Sequence, residues 1–279
     1  MGKIVAGIGV SHVPSIGPAY DKKRQNEPDW KPLFDGVAPI KKWLAEEVKP
    51  DVALVVYNDH GCDFGLDRVP TFAIGTQDEY EQSDEGFGLR PLPDVPGDSD
   101  LSWFLAQELV YNDFDMTVVQ EMKLDHGFLV PYPLFFSHDP TWSVKTVPLV
   151  VNVIQHPIPT GRRCLALGRA IRRAVEAYPK DTRVAIIGTG GMSHQLHGER
   201  FGHLNSDFDT MWLDMIESDP EQLAKISHTE LMAQAGAEAV ELIMWLTMRG
   251  ALTDKVKRVH RTYYAPMTTG MAAISFVDA

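Results

Sequence analysis

Cysteine is nearly absent: Cys62 and Cys164 are the only two in 279 residues. Two thiols cannot build the disulfide framework of a small secreted fold, so a reducing compartment, and with it a cytoplasmic location, is the expectation. Long apolar runs are missing too, and none approaches the roughly 20 residues needed to span a bilayer. Positive charge is scarce. Lys and Arg number 26 against 38 Asp and Glu, a formal net charge of −12. Such a surface repels nucleic acid and anionic membranes, and a pocket for an acidic ligand must supply its own local donors. The N-terminal run MGKIVAGIGVSHVPSIG carries one early lysine and a short apolar stretch around His12. It reads as a first strand rather than a signal peptide. What is present, 44% hydrophobic and 23% charged residues, suffices for a globular core.

Short apolar runs rich in β-branched residues mark strands at Lys3–Val10, Asp51–Tyr57, Thr71–Ile74, Asp115–Val119, Val144–Ile154, Arg183–Ile187, Val256–Tyr264 and Ala272–Val277. Helical spacing lies between them at Pro32–Val48, Ser99–Val110, Gly161–Ala177, Ser206–Glu217 and Ala235–Arg249. This alternation predicts an α/β fold, a three-layer α/β/α domain with a mixed central sheet. No repeat or linker divides the chain, so residues 1–279 read as one domain. The acidic, Pro- and Gly-rich stretch Asp78–Asp100 lacks periodicity and is long for a loop, which points to a functional or interface-covering role.

Three histidines follow predicted strands: His12 in GVSHVPSIG, His60 in VVYNDHGCD and His194 in AIIGTGGMSHQL. Ligands of open α/β sheets collect beyond the carboxyl ends of strands, so the three are candidates for one pocket. Glu241 is the sharpest signal. Ala237, Val240, Met244, Trp245 and Met248 surround it at helical spacing. A carboxylate in such surroundings needs a partner or a metal. The bland alternatives are an ion pair with an arginine, or exposure on a narrow polar stripe with Glu238. Two histidines and a carboxylate form the ligand set of non-haem Fe(II) oxygenases, and zinc hydrolases use the same set; spacing does not separate the two metals.

The segments GVSHVP, VYNDH, DEGFGLRPLPDV, DFDMTVV, DHG, GTGGMSHQL and VELIMWLTMRGAL resemble the class III extradiol ring-cleavage dioxygenases, and within them the beta subunits of protocatechuate 4,5-dioxygenases. The resemblance spans almost the whole chain. It implies His12, His60 and Glu241 as ligands of Fe(2+), His194 as the acid–base residue and His126 as a residue approaching the substrate. It places a small hydroxyl residue near the substrate carboxylate at Thr268. Relatives often carry Ser then Asn where this chain has Thr268 and Thr269, so the hydroxyl is kept and the amide lost.

The reaction it implies is O₂-dependent extradiol cleavage of a catechol acid. For protocatechuate opened at its 4,5 bond, the product is 4-carboxy-2-hydroxymuconate semialdehyde; gallate or another substituted catechol is the alternative substrate. A small helical alpha subunit, in an alpha2-beta2 heterotetramer, is the implied partner. A zinc hydrolase and a non-catalytic subunit are the rivals from other classes. Asp59 and Asp125 each precede a histidine, and each is read as orienting an imidazole, Asp59 beside His60 foremost, or as capping a turn. GTGG alone is a poor phosphate motif, Ser193 fails the nucleophile-elbow pattern at Gln195, and Cys62 reads as a small buried thiol. His197 is the one remaining histidine expected near the pocket.

Overall fold

Along Val52–Tyr57 (β2) every side chain is buried. Val52, Leu54 and Val56 join one apolar cluster, and Ala53, Val55 and Tyr57 join another. Successive strand residues point to opposite faces, so this strand must be covered on both sides. The computed structural model describes residues 1–279 and shows that arrangement. Lys3–Val10 (β1) is followed by Ile16–Asp21 (α1) and Lys31–Trp43 (α2), then β2, Phe72–Gly75 (β3), and the short pair Glu79–Tyr80 (β4) and Val95–Pro96 (β5). Ser99–Tyr111 (α3), Thr117–Val119 (β6), His126–Leu129 (α4), Pro131–Phe135 (α5), Lys145–Val151 (β7), Gly161–Ala177 (α6) and Arg183–Thr189 (β8) follow. The chain ends with Ser206–Ser218 (α7), Pro220–Leu223 (α8), His228–Ala235 (α9), Ile243–Gly250 (α10), Val256–Tyr264 (β9) and Met271–Asp278 (β10).

The eight-stranded sheet runs β6-β3-β7-β2-β8-β1-β10-β9. The inner strands β7, β2, β8 and β1 are parallel, while β10 pairs antiparallel with both β1 and β9, and β3 pairs antiparallel with β7. One face is covered by α3, α6, α7 and α10, the other by α1, α2, α4 and α5. This is the three-layer mixed-sheet fold that the alternation of patterns led us to expect. Each fully buried aliphatic or Phe side chain in those layers contributes roughly 1.5–3 kcal/mol.

Two differences from the sequence reading bear on the site. Ala235–Arg249 is not one helix. Gly236 takes φ +100°, and a side chain there would run into the His194 carbonyl. The chain therefore leaves α9, passes through a 3-10 turn at Ala237–Leu242, and only then enters α10. Glu241 lies on that turn. Pro32–Val48 also divides, into α2 and a π-helical turn at Leu44–Val48.

Glycines then bring α10 onto the sheet. A Cβ on Gly9 of β1 would collide with the Trp245 ring, and one on Gly188 of β8 would lie 2.8 Å from the Met244 carbonyl. Gly190, at φ +129°, has the Glu241 Cβ where its own would be, at 2.8 Å. The GTGG turn is therefore a docking surface for the segment that carries Glu241.

Candidate metal centre

β2, β8 and β1 are neighbours in the sheet, and His60, His194 and His12 follow their carboxyl ends. Parallel strands end at the same edge, so the three histidines meet there. His12 is 3% exposed. Its Nδ1 is hydrogen-bonded to the hydroxyl of Thr189, the last residue of β8, at 3.0 Å. Its Nε2 is buried without a hydrogen-bond partner and lies 3.2 Å from Glu241 Oε2, at an angle that makes no hydrogen bond. The other Glu241 oxygen, Oε1, lies 4.0 Å from His60 Nε2.

Glu241 is 7% exposed, and only histidines pair with it; no arginine does, and it is not on an exposed stripe. Its Oε2 accepts the Gly191 N–H at 2.7 Å. Burial acts to raise its carboxyl pKa, but His12, with His194 and His60, holds it well below the usual carboxylate range.

His60 is oriented by Asp125, not Asp59. Asp125 Oδ2 accepts from His60 Nδ1 at 2.9 Å and from its backbone N–H at 2.7 Å, while Oδ1 caps α4 by accepting from Gly127. Asp125 is wholly buried. Burial pushes its carboxyl up, and the hydrogen bond and charge of His60 more than offset that. The Asp59 carboxylate instead accepts the N–H groups of Gly61, Cys62, Asp63 and Phe64, which makes it the cap of the turn after His60. The orienting role expected of Asp59 therefore falls to the other aspartate. Asn58 Nδ2 approaches His60 Nε2 at 3.1 Å, so an ion at that nitrogen displaces one neutral contact.

His126 is the first residue of α4 rather than a strand end. Its ring stacks on that of His60 with centroids 3.8 Å apart, and one ligand atom from each of His12, His60 and His126 lies within 4.8 Å of the others. Its Nδ1 is engaged by Glu85 Oε1 at 2.6 Å. His194 donates from Nδ1 to the Met192 carbonyl at 2.8 Å, leaving Nε2 3.9 Å from Glu241 Oε2.

These residues open into a cleft of about 610 Å³ that also takes in Thr268, Thr269, Ser15, His156 and His197, with no lysine or arginine in its lining. His156, which no local pattern singled out, lies in this wall. His197 sits at the mouth, paired with Glu238 at 2.9 Å. Ser193 is no nucleophile: its hydroxyl donates to the buried Asp209 and accepts from the Asn205 N–H. Burial pushes the Cys62 thiol up to about 11.

The donor set fits a divalent cation. Ligands held about 2.1 Å from an ion at near-right angles are roughly 3 Å apart, which matches the His12–Glu241 separation. An orphaned buried imidazole nitrogen beside a buried ionised carboxylate is costly without a cation to share. Thr189 and Asp125 fix both Nδ1 atoms, so the two Nε2 atoms are left for the ion.

The family described as catalytic LigB subunit of aromatic ring-opening dioxygenase matches residues 6–275. Gallate dioxygenase from Pseudomonas putida is 46% identical over 192 residues, covering 69% of this chain and 56% of that protein, so the match spans little more than half its length. A 2,3-dihydroxyphenylpropionate/2,3-dihydroxicinnamic acid 1,2-dioxygenase from Rhodococcus is 24% identical, with 99% of this chain and 98% of the relative covered. An uncharacterized protein from Escherichia coli shares the fold, at a TM-score of 0.59 and 14% identity over 97% of this chain and 99% of its own. No helix is long and apolar enough to cross a membrane. With the match running from the first strand to the last, the chain belongs to the family of catalytic LigB subunits of aromatic ring-opening dioxygenases.

Proposed function

We propose that this chain is the catalytic beta subunit of an Fe(II)-dependent extradiol dioxygenase that opens the ring of a catechol acid. The observation that carries the reading is the buried Glu241 carboxylate, which faces His12 and His60 and pairs with no lysine or arginine. His12, His60 and Glu241 hold the iron. Iron held there would supply Lewis-acid activation of the catechol and a path for electrons to O₂.

The remaining work falls to the protein. His194, with its Nδ1–H committed to the Met192 carbonyl, offers an unprotonated Nε2 to a catechol hydroxyl and takes its proton there. The same nitrogen returns the proton later, as the ring opens. His126, with Nδ1 engaged by Glu85, presents Nε2 to an oxygen of the substrate side. The Thr268 and Thr269 hydroxyls, with Ser15, are the neutral donors available for a carboxylate in a cleft without Lys or Arg. Val13, Val153, Ile158 and Met271 wall the ring from water.

Protocatechuate, cleaved at its 4,5 bond, is the substrate this reading puts first. Gallate, which adds one ring hydroxyl, is the second, favoured by the 46% identity to a gallate dioxygenase. A covering alpha subunit, in an alpha2-beta2 assembly in the cytoplasm, is supported by apolar residues standing exposed at the cleft rim: Ile154, Leu196 and Met267.

The test is O₂ uptake by the Fe(II)-loaded chain, with and without a co-purified small subunit, across protocatechuate, gallate and other catechols. Uptake of O₂ together with loss of the aromatic absorbance of the catechol is expected. No uptake with any catechol, partner present, defeats the proposal, and turnover of an ester or amide without O₂ replaces it with the zinc hydrolase.

A further inference from the structure

Four cleft histidines, His12, His60, His126 and His194, have Nδ1 tied down. Thr189 holds His12, Asp125 holds His60 and the Met192 carbonyl holds His194. For His126 that partner comes from the acidic stretch between β4 and β5. We propose that Glu85 is a positioning residue whose sole task is to aim His126 into the cleft, which makes this stretch part of the active-site machinery. The inference rests on the substrate-side role given to His126 above.

Both oxygens of Glu85 serve that one residue. Oε2 accepts the His126 backbone N–H at 2.9 Å and Oε1 engages the ring Nδ1 at 2.6 Å. A carboxylate that spans the main chain and the ring of the same residue fixes the rotation of that side chain. It also favours the tautomer with hydrogen on Nδ1, so Nε2 is the nitrogen left for the cleft. The neighbouring His60 ring, with centroids 3.8 Å apart and planes tilted by 32°, does not by itself prevent a 180° flip of the His126 ring about its Cβ–Cγ bond.

Glu85 is itself held on a built frame. Asp84 Oδ1 accepts the N–H groups of Gly86 and Gly88 at 2.8 and 3.0 Å, which closes the turn. The Gln82 side chain bridges the loop by bonding Arg90 N–H and the Arg90 and Leu92 carbonyls. On one side the loop is tied to the residue before Asp125, through Ser83 N–H to the Leu124 carbonyl and Leu124 N–H to the Glu81 carbonyl, both at 2.9 Å. On the other side Arg90, paired in two contacts with Asp21, reaches the Leu129 carbonyl at the end of α4. The loop thus grips the chain both before and after His126, and Glu85 projects between the two grips.

The experiment compares Glu85→Ala, Glu85→Gln, His126→Ala and the Glu85→Ala/His126→Ala double variant, with kcat, KM and bound metal measured for each. Glu85→Ala is expected to lower kcat/KM about 10–100-fold, the range typical of losing an imidazole's outer partner, with metal content unchanged. Glu85→Gln keeps one acceptor oxygen but turns an amide N–H toward the other donor, so it recovers part of that loss. In the His126→Ala background Glu85→Ala costs no further activity, because the ring it aims is gone and only the backbone N–H of residue 126 remains to it. An equal further loss in that background, or a loss that Gln does not rescue and that follows a drop in melting temperature, overturns the proposal in favour of a general structural loop.

A readout that needs no turnover runs beside it. NMR of the zinc-loaded chain, with labelled histidine nitrogens, is expected to show His126 protonated at Nδ1 in the native protein and as a tautomer mixture in Glu85→Ala. An unchanged His126 signal in Glu85→Ala sinks the inference. Absence of any catechol turnover by the native chain sinks the dioxygenase reading alone, since the spectrum still decides the role of Glu85.

Discussion

His12 Nε2 and Glu241 Oε2 stand 3.2 Å apart, buried, and make no hydrogen bond with each other. Two lone-pair-bearing atoms in that relation are stabilised by a positive centre lying between them and destabilised by its removal. Glu241→Gln keeps the shape and an acceptor for the Gly191 N–H while deleting the charge. The expected outcome is loss of nearly all bound iron after dialysis, read by metal analysis, in a protein that still folds. Full retention of iron by the variant removes Glu241 from the ligand set.

Asp125 acts one step further out. Asp125→Asn leaves an acceptor for the backbone but lets the His60 ring choose the other tautomer, which places hydrogen on the nitrogen meant for the ion. Metal affinity, measured by competition with a chelator, should fall about 10–100-fold. Asp59→Asn should leave it within a factor of a few, because the Asp59 carboxylate serves only backbone N–H groups of its own turn.

His194→Ala should bind metal as well as the native chain and lose about 10²–10⁴ in kcat, the usual worth of a positioned acid–base group. Its ring nitrogen is 3.9 Å from Glu241 and its other nitrogen is committed to a carbonyl. Loss of iron from this variant would move His194 into the coordination sphere.

Asp63 gives a pH signature of stability. Burial pushes its carboxyl up to about 6, partly opposed by the Lys123 backbone N–H. A carboxyl whose folded pKa exceeds its unfolded value of about 3.9 binds its proton more tightly when folded. Its cost to the fold is therefore absent at pH values below about 4 and grows as pH rises through 6. Asp63→Asn, which keeps an acceptor for Lys123, should melt with the native protein in acid and above it at pH 7, by on the order of 1 kcal/mol once solvent screening of this half-buried group is allowed for. Thermal melts of both proteins across that range decide it; a constant gap at every pH refutes the assignment.

How far the sequence could be read depended on how local each feature is. Lys3–Val10, Gly161–Ala177 and Val256–Tyr264 announce themselves by pattern, and the structure gives them the same bounds. Glu241 announced itself by its apolar neighbours, yet those neighbours suggested an α-helix where a 3-10 turn stands, because apolar spacing over six residues does not distinguish the two. Asp59 and Asp125 look alike in sequence, each directly before a histidine. What separates them is a pairing across 65 positions between Asp125 and His60, which no local pattern carries. Glu85 was hidden for the same reason, as one acid among many in an acidic stretch. The glycines of GTGG, discounted as a phosphate motif, turned out to matter for how closely the Glu241 segment approaches the sheet.

The placement of β1 has a further consequence. It precedes the other strands of the sheet in sequence, yet its two neighbours are β8 and β10, the latter ending at Asp278. During synthesis β1 has no partner on either edge until most of the chain has been made, and an unpaired apolar strand invites wrong pairings. His12, at its end, reaches its final place only when the C-terminal strand docks beside it. The centre is therefore completed only once β10 has docked beside β1.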